Sequence, residues 1–247
     1  MTDPPADALT GRLSRSLPDC RMKLPFHITC QQPYLVTAFH EAQTLLSWAM
    51  IRPGFQGGRK VAWLEVRDAD LPQDLDPFAF LEKRMAAAGH GDAIALMTSR
   101  DVRRHHLAQA EVGTVSATCL TTIGLGNATR VGCSQASTPP LFGTINILVH
   151  VSCALSQAAL IETISIVTQA RTAAVLALDY RPHGEVVSGT GTDCIVVAAP
   201  QAGEPARFAG LHTPIGEAVG AAVFAAVSEG GAAWCKERNA SRPRASA

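Results

Sequence analysis

The clearest pattern of apolar and polar positions lies in the second half of the chain, where apolar runs alternate with helical stripes. Ile145–Val151 is a continuous apolar run of strand length. Ser156 then caps a predicted helix in which Leu160, Ile164, Val167, Ala174 and Leu178 recur along one stripe. Residues 194–199 read as the next strand. Thr213-Pro214 opens a last helix, with Ile215, Val219, Ala222 and Ala226 on one face. In that helix Gly216 and Gly220 predict close packing onto a sheet, and Glu217 lies near the positive end, where compensating the helix dipole is its plain role.

The first half is less regular. Residues 44–51 and 61–66 are apolar runs joined by RPGFQGGRK, which predicts strand, loop, strand. Asp76-Pro77 opens a helix through FAFLEKRMAAAG, with an acid at the cap, proline in the first turn and glycine at the end. Residues 93–98 predict a strand, with Ser99 capping a short basic helix that contains SRDVRRHH. Residues 114–125, rich in Thr, Val and Ile, predict a long strand. Strands interleaved with amphipathic helices predict an α/β or α+β fold: a single domain, with a mixed sheet flanked by helices. The domain is expected over residues 21–235, between a disordered polar segment, 1–20, and a flexible tail, 236–247.

Composition narrows the function classes. With 47% hydrophobic residues, 17% charged and zero formal net charge, the chain lacks the basic excess of a phosphate-binding nucleic-acid protein. Only 5% is aromatic, so the core is expected to be aliphatic. Seven cysteines at irregular spacing, with no CxxC, make neither a disulfide framework nor a zinc site, and predict free thiols in a reducing cytoplasm. The opening MTDPPADALTGRLSRSL has no apolar core of a secretory signal. The apolar stretch 147–161 is interrupted by His150, Ser152, Ser156 and Gln157, too short and polar for a membrane span.

The candidate chemistry centres on VVSGTGTDCIVV, residues 186–197, where two β-branched runs enclose glycines, threonines and an aspartate. No lysine follows Gly191, so it is not a Walker loop. No third glycine opens a helix, so it is not a dinucleotide loop either. A tight turn and a catalytic tip remain. Three other tips have the same character: GLGNATR at 124–130, FGTIN at 142–146 and GLHT at 210–213. Together they hold Asn127, Asn146, Thr192, Asp193 and His212, the donors and proton carriers an acyl-transfer site wants.

Each candidate has a bland counterpart. Asp193 could be a general base, orient a histidine, or close an Asx turn. His212 could shuttle a proton or pack beneath the last helix, and Thr213 is better read as cap than catalyst. Asn146 could donate to an oxyanion or simply bond at a strand end. Thr190 and Thr192 raise a covalent route, which requires an adjacent base or a free amino terminus. Water activated by Asp193 or His212 is the first mechanism. His105 and His106 read as a surface pair on the basic helix; His150 and His183 read as structural.

Taken together, TIGLGNATRVG, LFGTINILVHVSCALSQAALIETISIVTQARTAAVLAL, SGTGTDCIVVAAP and FAGLHTPIGEAVGAAV resemble the adenosylcobinamide amidohydrolases of corrinoid salvage, the CbiZ family. WAMIRPGFQGG and ALMTSRDVRRH fit the N-terminal half of that family less tightly, and the resemblance spans about residues 45–230. It implies hydrolysis of the amide that joins aminopropanol to a propionate arm of the corrin, giving adenosylcobyric acid. The partner is a corrinoid small molecule, and its cobalt belongs to the substrate, so no cofactor or protein metal site is implied. Asp193, His212, Asn146 and Thr192 are then the catalytic candidates. Asn127, Arg130, Thr144, Thr190, Gly191 and Glu217 are the substrate-binding ones. The loop usually reads GTGTDA in this family, so Cys194 is no family-wide nucleophile. A non-catalytic corrinoid-binding protein and a threonine-dependent acyltransferase or hydrolase are the alternatives. The Ala-rich last helix leaves a face open for a homodimer.

Overall fold

A computed structural model describes residues 23–133, 142–182 and 184–240. The expected disordered segment 1–20, and His183, lie outside them. The elements in chain order are β1 (Phe26–Gln31), β2 (Tyr34–Ser47), β3 (Gly54–Glu65), α1 (Pro77–Ala87), β4 (Ile94–Thr98), β5 (His105–Val112) and β6 (Val115–Ile123). They continue with β7 (Ala128–Thr129), β8 (Ile145–Val151), α2 (Gln157–Ala177), β9 (Gly189–Thr190), β10 (Cys194–Pro200) and α3 (Pro214–Ala240).

One mixed sheet runs β4-β3-β2-β10-β8-β6-β5, with β1 added to the first half of β2. Its two parallel pairs are β3–β4 and β8–β10; the other neighbours are antiparallel. Strand β2 is long enough to serve two partners, β1 over its first half and β10 over its second. Between those halves its register with β3 slips at Ala38/Gln43, where the exposed polar pair His40-Glu41 interrupts the apolar alternation.

The sheet folds back over itself. Side chains alternate along each strand, and Leu120, Leu148, Val196 and Ala198 on one face bury against Val61, Trp63, Ile94 and Leu96 from the far half. The opposite face of β6, β8 and β10, with Cys119, Ile147, Val149, Ile195 and Val197, packs under α2 and α3. Helix α1 covers the other flank through Leu81 and Met85, which meet Ala62, Leu64 and Ala95. The result is a single mixed α/β domain of four layers, helix, sheet, sheet, helix.

Caps fall where the sequence places them. The Asp76 carboxylate accepts from Phe78 N at 2.9 Å, Ser156 Oγ from Ala159 N at 3.2 Å and Thr213 Oγ1 from Gly216 N at 3.0 Å. By length and composition alone α2 and α3 could cross a bilayer, but each lays one face on the sheet.

Several local expectations change. RPGFQGGRK is not all loop, since β3 begins at Gly54 and the earlier strand reaches back to Tyr34. The basic helix is a single 3-10 turn, Val102–Arg104, capped by Asp101 rather than Ser99. His105 and His106 therefore stand on β5, on opposite faces. The Nδ1 of His105 lies 2.8 Å from Val102 O, and His106 packs toward α3 near Glu229. His150 is buried beside Phe39, and burial holds its pKa down at about 4, so it is neutral at pH 7.

Residues 236–240, expected as tail, form the end of α3. Glu237 accepts from Arg100 at 2.6 Å and from Arg104 at 2.6 Å, tying that end to the segment after β4. The hydrogen bond from Arg100 holds its carboxyl below the usual glutamate range, aided by the charges of Arg100 and Arg104. A depressed carboxylate stabilises the fold above its unfolded pKa, and that contribution fades as pH falls through the folded value. Glu237→Gln is expected to lower the Tm near pH 7 by about 2–4 °C, the shift that ~1 kcal/mol produces in a chain of this size. The gap from the parent should close in melts run at progressively lower pH through the carboxylate range. A gap independent of pH would refute the ion-pair account.

Candidate active site

Three of the four glycine-containing tips meet at one end of β8 and β10. A cavity of about 570 Å³ opens there, lined by Trp48, Met50, Leu71, Leu96, Met97 and Phe142 on its apolar side. Asn127, Thr144, Asn146, Gly191, Thr192 and Asp193 form the opposing polar side. The register explains the meeting: Asn146 pairs with Cys194 on one neighbour and with Thr122 on the other, so β8 carries Asn146 between β10 and β6. Asn146 has the same parity as Leu148 and faces the inner layer, where its Nδ2 donates to Met97 O across the fold at 2.8 Å.

The tips at 124–127 and 142–144 brace each other backbone to backbone. Gly124 N donates to Thr144 O at 2.9 Å. A side chain on Gly143 would stand 2.6 Å from Gly126 N and 2.7 Å from Gly124 O, so only glycine allows the approach. The third tip is locked on by threonines. Thr192 Oγ1 donates to Gly143 O at 3.0 Å, and Thr144 Oγ1 donates to Thr192 O at 2.8 Å.

Asp193 is fastened rather than free. Its Oδ1 accepts from Ile145 N at 3.1 Å and from the Thr190 hydroxyl. Its Oδ2 accepts from Thr190 N at 3.1 Å and forms an ion pair with Arg171 of α2. The two side chains are only 10% and 13% exposed. Burial lowers the pKa of Arg171 from the usual arginine range. With four donors on its two oxygens, Asp193 joins β8, β9 and α2 at the edge of the cavity. Trp48 adds a further tie, its indole N–H donating to Asp193 O at 3.0 Å.

The other candidates separate. Thr190 sits on β9, which pairs with β7, and reaches the cavity only through Asp193. Arg130 is exposed just after β7 and is not part of the lining. His212 and Glu217 flank the start of α3, which lies by Glu162 and the far ends of β8 and β10. The fourth tip does not line this cavity: neither His212, expected as a proton shuttle, nor Glu217, expected to bind substrate, is among its lining residues. Burial pushes the Cys194 thiol up to about 11, so it remains protonated at neutral pH.

Sequence reasoning missed Arg171 and the cavity role of Trp48. A signal for the first was present: between Gln157 and Ala177 the helix carries only Glu162 and Arg171 as charges, and a lone arginine on an apolar helix calls for a buried partner. Glu162 is used in the same way, accepting from Ala209 N at 2.6 Å.

Comparison with known proteins agrees on one family. Residues 19–239 match the family described as CbiZ, adenosylcobinamide amidohydrolase. The chain is 32% identical over 171 residues to a protein of Halobacterium salinarum (strain ATCC 700922 / JCM 11081 / NRC-1) described as adenosylcobinamide amidohydrolase; this covers 64% of this chain and 69% of that one. Two solved structures show a slighter likeness. The PH0078 protein from Pyrococcus horikoshii OT3 is 11% identical, with a TM-score of 0.43, over 83% of this chain and 82% of that one. A Burkholderia sp. beta-aminopeptidase is 12% identical, with a TM-score of 0.37, over 80% of this chain and 78% of that one. Neither likeness carries weight at these scores.

The Arg171–Asp193 pair yields a direct test. Arg171→Met leaves a buried carboxylate without its counter-charge and is expected to cost about 3–5 kcal/mol of unfolding free energy in urea titrations. Arg171→Lys keeps the charge and should cost clearly less. Equal, small losses in both variants would show that the pair does not hold this end of the sheet.

Proposed function

The chain belongs to the adenosylcobinamide amidohydrolase family and is a hydrolase of a carbon–nitrogen amide bond; from that premise we propose that it acts on adenosylcobinamide. The bond broken is the amide between aminopropanol and a propionate arm of the corrin, and the products are adenosylcobyric acid and aminopropanol. The cobalt travels with the substrate.

One observation carries this reading beyond the family. Asn127 Oδ1 is buried on the cavity wall and has no hydrogen-bond partner among the described residues. An unmet buried acceptor costs about 1–3 kcal/mol unless something supplies a proton donor. The N–H of an entering secondary amide is such a donor. The opposing apolar wall suits a hydrocarbon ring edge, and Trp48 and Phe142, both about half exposed, stand at the mouth. A corrin is too large for a cavity of about 570 Å³. On this reading the ring lies across the opening, and only the arm enters.

Asn146 is held by Met97 O and by the Thr144 hydroxyl, which leaves one amide hydrogen to polarise the substrate carbonyl. Thr192 stands beside it, fixed by Gly143 O. Asp193 and Arg171 keep this loop in place without touching the amide. The apolar wall displaces water and strengthens each of these contacts.

The purified protein, incubated with intact adenosylcobinamide, is expected to release aminopropanol and adenosylcobyric acid on chromatography. Tight binding without conversion would replace this proposal with a corrinoid carrier. Asn127→Ala removes no described protein hydrogen bond, so it should fold normally and lower kcat/KM by about 10²-fold. An unchanged kcat/KM would remove Asn127 from the substrate amide.

A further inference from the structure

Amide hydrolysis needs a group that takes up and returns a proton, and the cavity has no obvious one. Among its described lining residues there is no histidine, lysine or arginine, and the only carboxylate is Asp193, already saturated. The lining does hold threonines, and a threonine acquires its own base when it becomes N-terminal, because its α-amino group then stands beside its hydroxyl.

Only one of those threonines is set up for that change. Thr144 follows Gly143, opens β8 and is almost fully buried against the cavity. The carbonyl of Gly143, the one its hydroxyl would attack, already accepts a hydrogen bond from Thr192 Oγ1 at 3.0 Å. That contact is what a developing oxyanion requires. The peptide is fixed on both sides: Gly143 is wedged against Gly124 and Gly126, Thr144 O is held by Gly124 N, and Ile145 N is held by Asp193. Thr144 Oγ1 acts as a donor, to Thr192 O at 2.8 Å, which leaves its lone pairs for attack, whereas Thr98 Oγ1 accepts from Arg100 N and Thr192 is the donor to Gly143 O.

We propose that the chain cleaves its own Gly143–Thr144 peptide bond, and that the liberated Thr144 is the nucleophile of the amide hydrolysis. The catalytic half of this inference rests on the function proposed above; the cleavage does not. Thr144 Oγ1 adds to the Gly143 carbonyl carbon, and the oxyanion is held by the Thr192 hydroxyl. The carbon–nitrogen bond then breaks as the hydroxyl proton passes to the departing nitrogen, leaving an ester between Gly143 and the Thr144 oxygen. One water hydrolyses that ester to the Gly143 carboxylate and a free Thr144 hydroxyl. The same cycle then serves the substrate. The α-amine of Thr144 takes the hydroxyl proton and delivers it to the leaving aminopropanol nitrogen, and a second water releases the corrin carboxylic acid from the acyl ester.

Mass spectrometry of the full-length protein, denatured without protease, tests the cleavage with no variant needed. Two polypeptides are expected, one ending at Gly143 and one beginning at Thr144, together heavier than the encoded chain by one water. A single uncleaved chain overturns the inference, and if that chain still converts adenosylcobinamide, the proposed function survives without it. Cleaved protein inert toward adenosylcobinamide would overturn the substrate reading and the nucleophile role, while self-cleavage stood. Thr144→Ala should remain one chain and lose about 10⁴-fold in kcat, with Thr144→Ser recovering both cleavage and turnover. Thr192→Val should slow the appearance of the two fragments, and unchanged kinetics there would overturn the oxyanion assignment.

Discussion

A buried carboxylate organises one whole end of this molecule. Asp193 has little contact with water, so its charge must be met by neighbours. They come from β8 (Ile145 N), from β9 (Thr190) and from α2 (Arg171). Three elements that approach from different directions are thereby fixed to a single residue at the mouth of the cavity. Gly189 shows how closely they are drawn together, since a side chain there would run into both Arg171 and Asp193. The bare backbone of the GTGTD loop is a requirement of this junction before it is anything else.

The sheet that carries the junction is folded over itself, and the fold-back places the amide of Asn146 under the carbonyl of Met97. Two segments distant in the chain, β4 and β8, become the two walls of one cavity. The slip in β2 at Ala38/Gln43 falls between the part of that strand paired with β1 and the part paired with β10. A strand in unbroken register would have less freedom to serve both halves.

What the sequence reveals follows from where the information is local. Ser156, Thr213 and Asp76 bond within three residues, so the caps of the helices can be read directly. Strands β8 and β10 are buried on both faces, and their unbroken apolar runs show it. Strand β5 is partly buried along nearly all of its length, so SRDVRRHH carries no apolar run, and His105 is mistaken for the end of a helix. The site divides in the same way. Asn127, Thr144, Asn146, Thr192 and Asp193 share short tips whose glycines mark them, and all line the cavity. His212 shares that signature but belongs to the other end of the sheet. No local pattern says which end of a strand a tip will occupy; only the pairing of β8 with β10 decides it.

The cavity opens at the amino ends of the parallel pair β8 and β10, whereas open α/β sheets usually bind ligands at the carboxyl ends of their strands. The crossover helix α2 therefore starts at the far edge and comes back toward the cavity with its carbonyl end leading. A neutral amide is at ease in such surroundings. Among the described lining residues there is no helix N-terminus and no lysine or arginine to meet a newly made carboxylate, and Arg171 is already committed to Asp193. On the proposed chemistry the reaction creates a charge where the architecture offers it no welcome, so the fold itself favours the departure of the acid it has made.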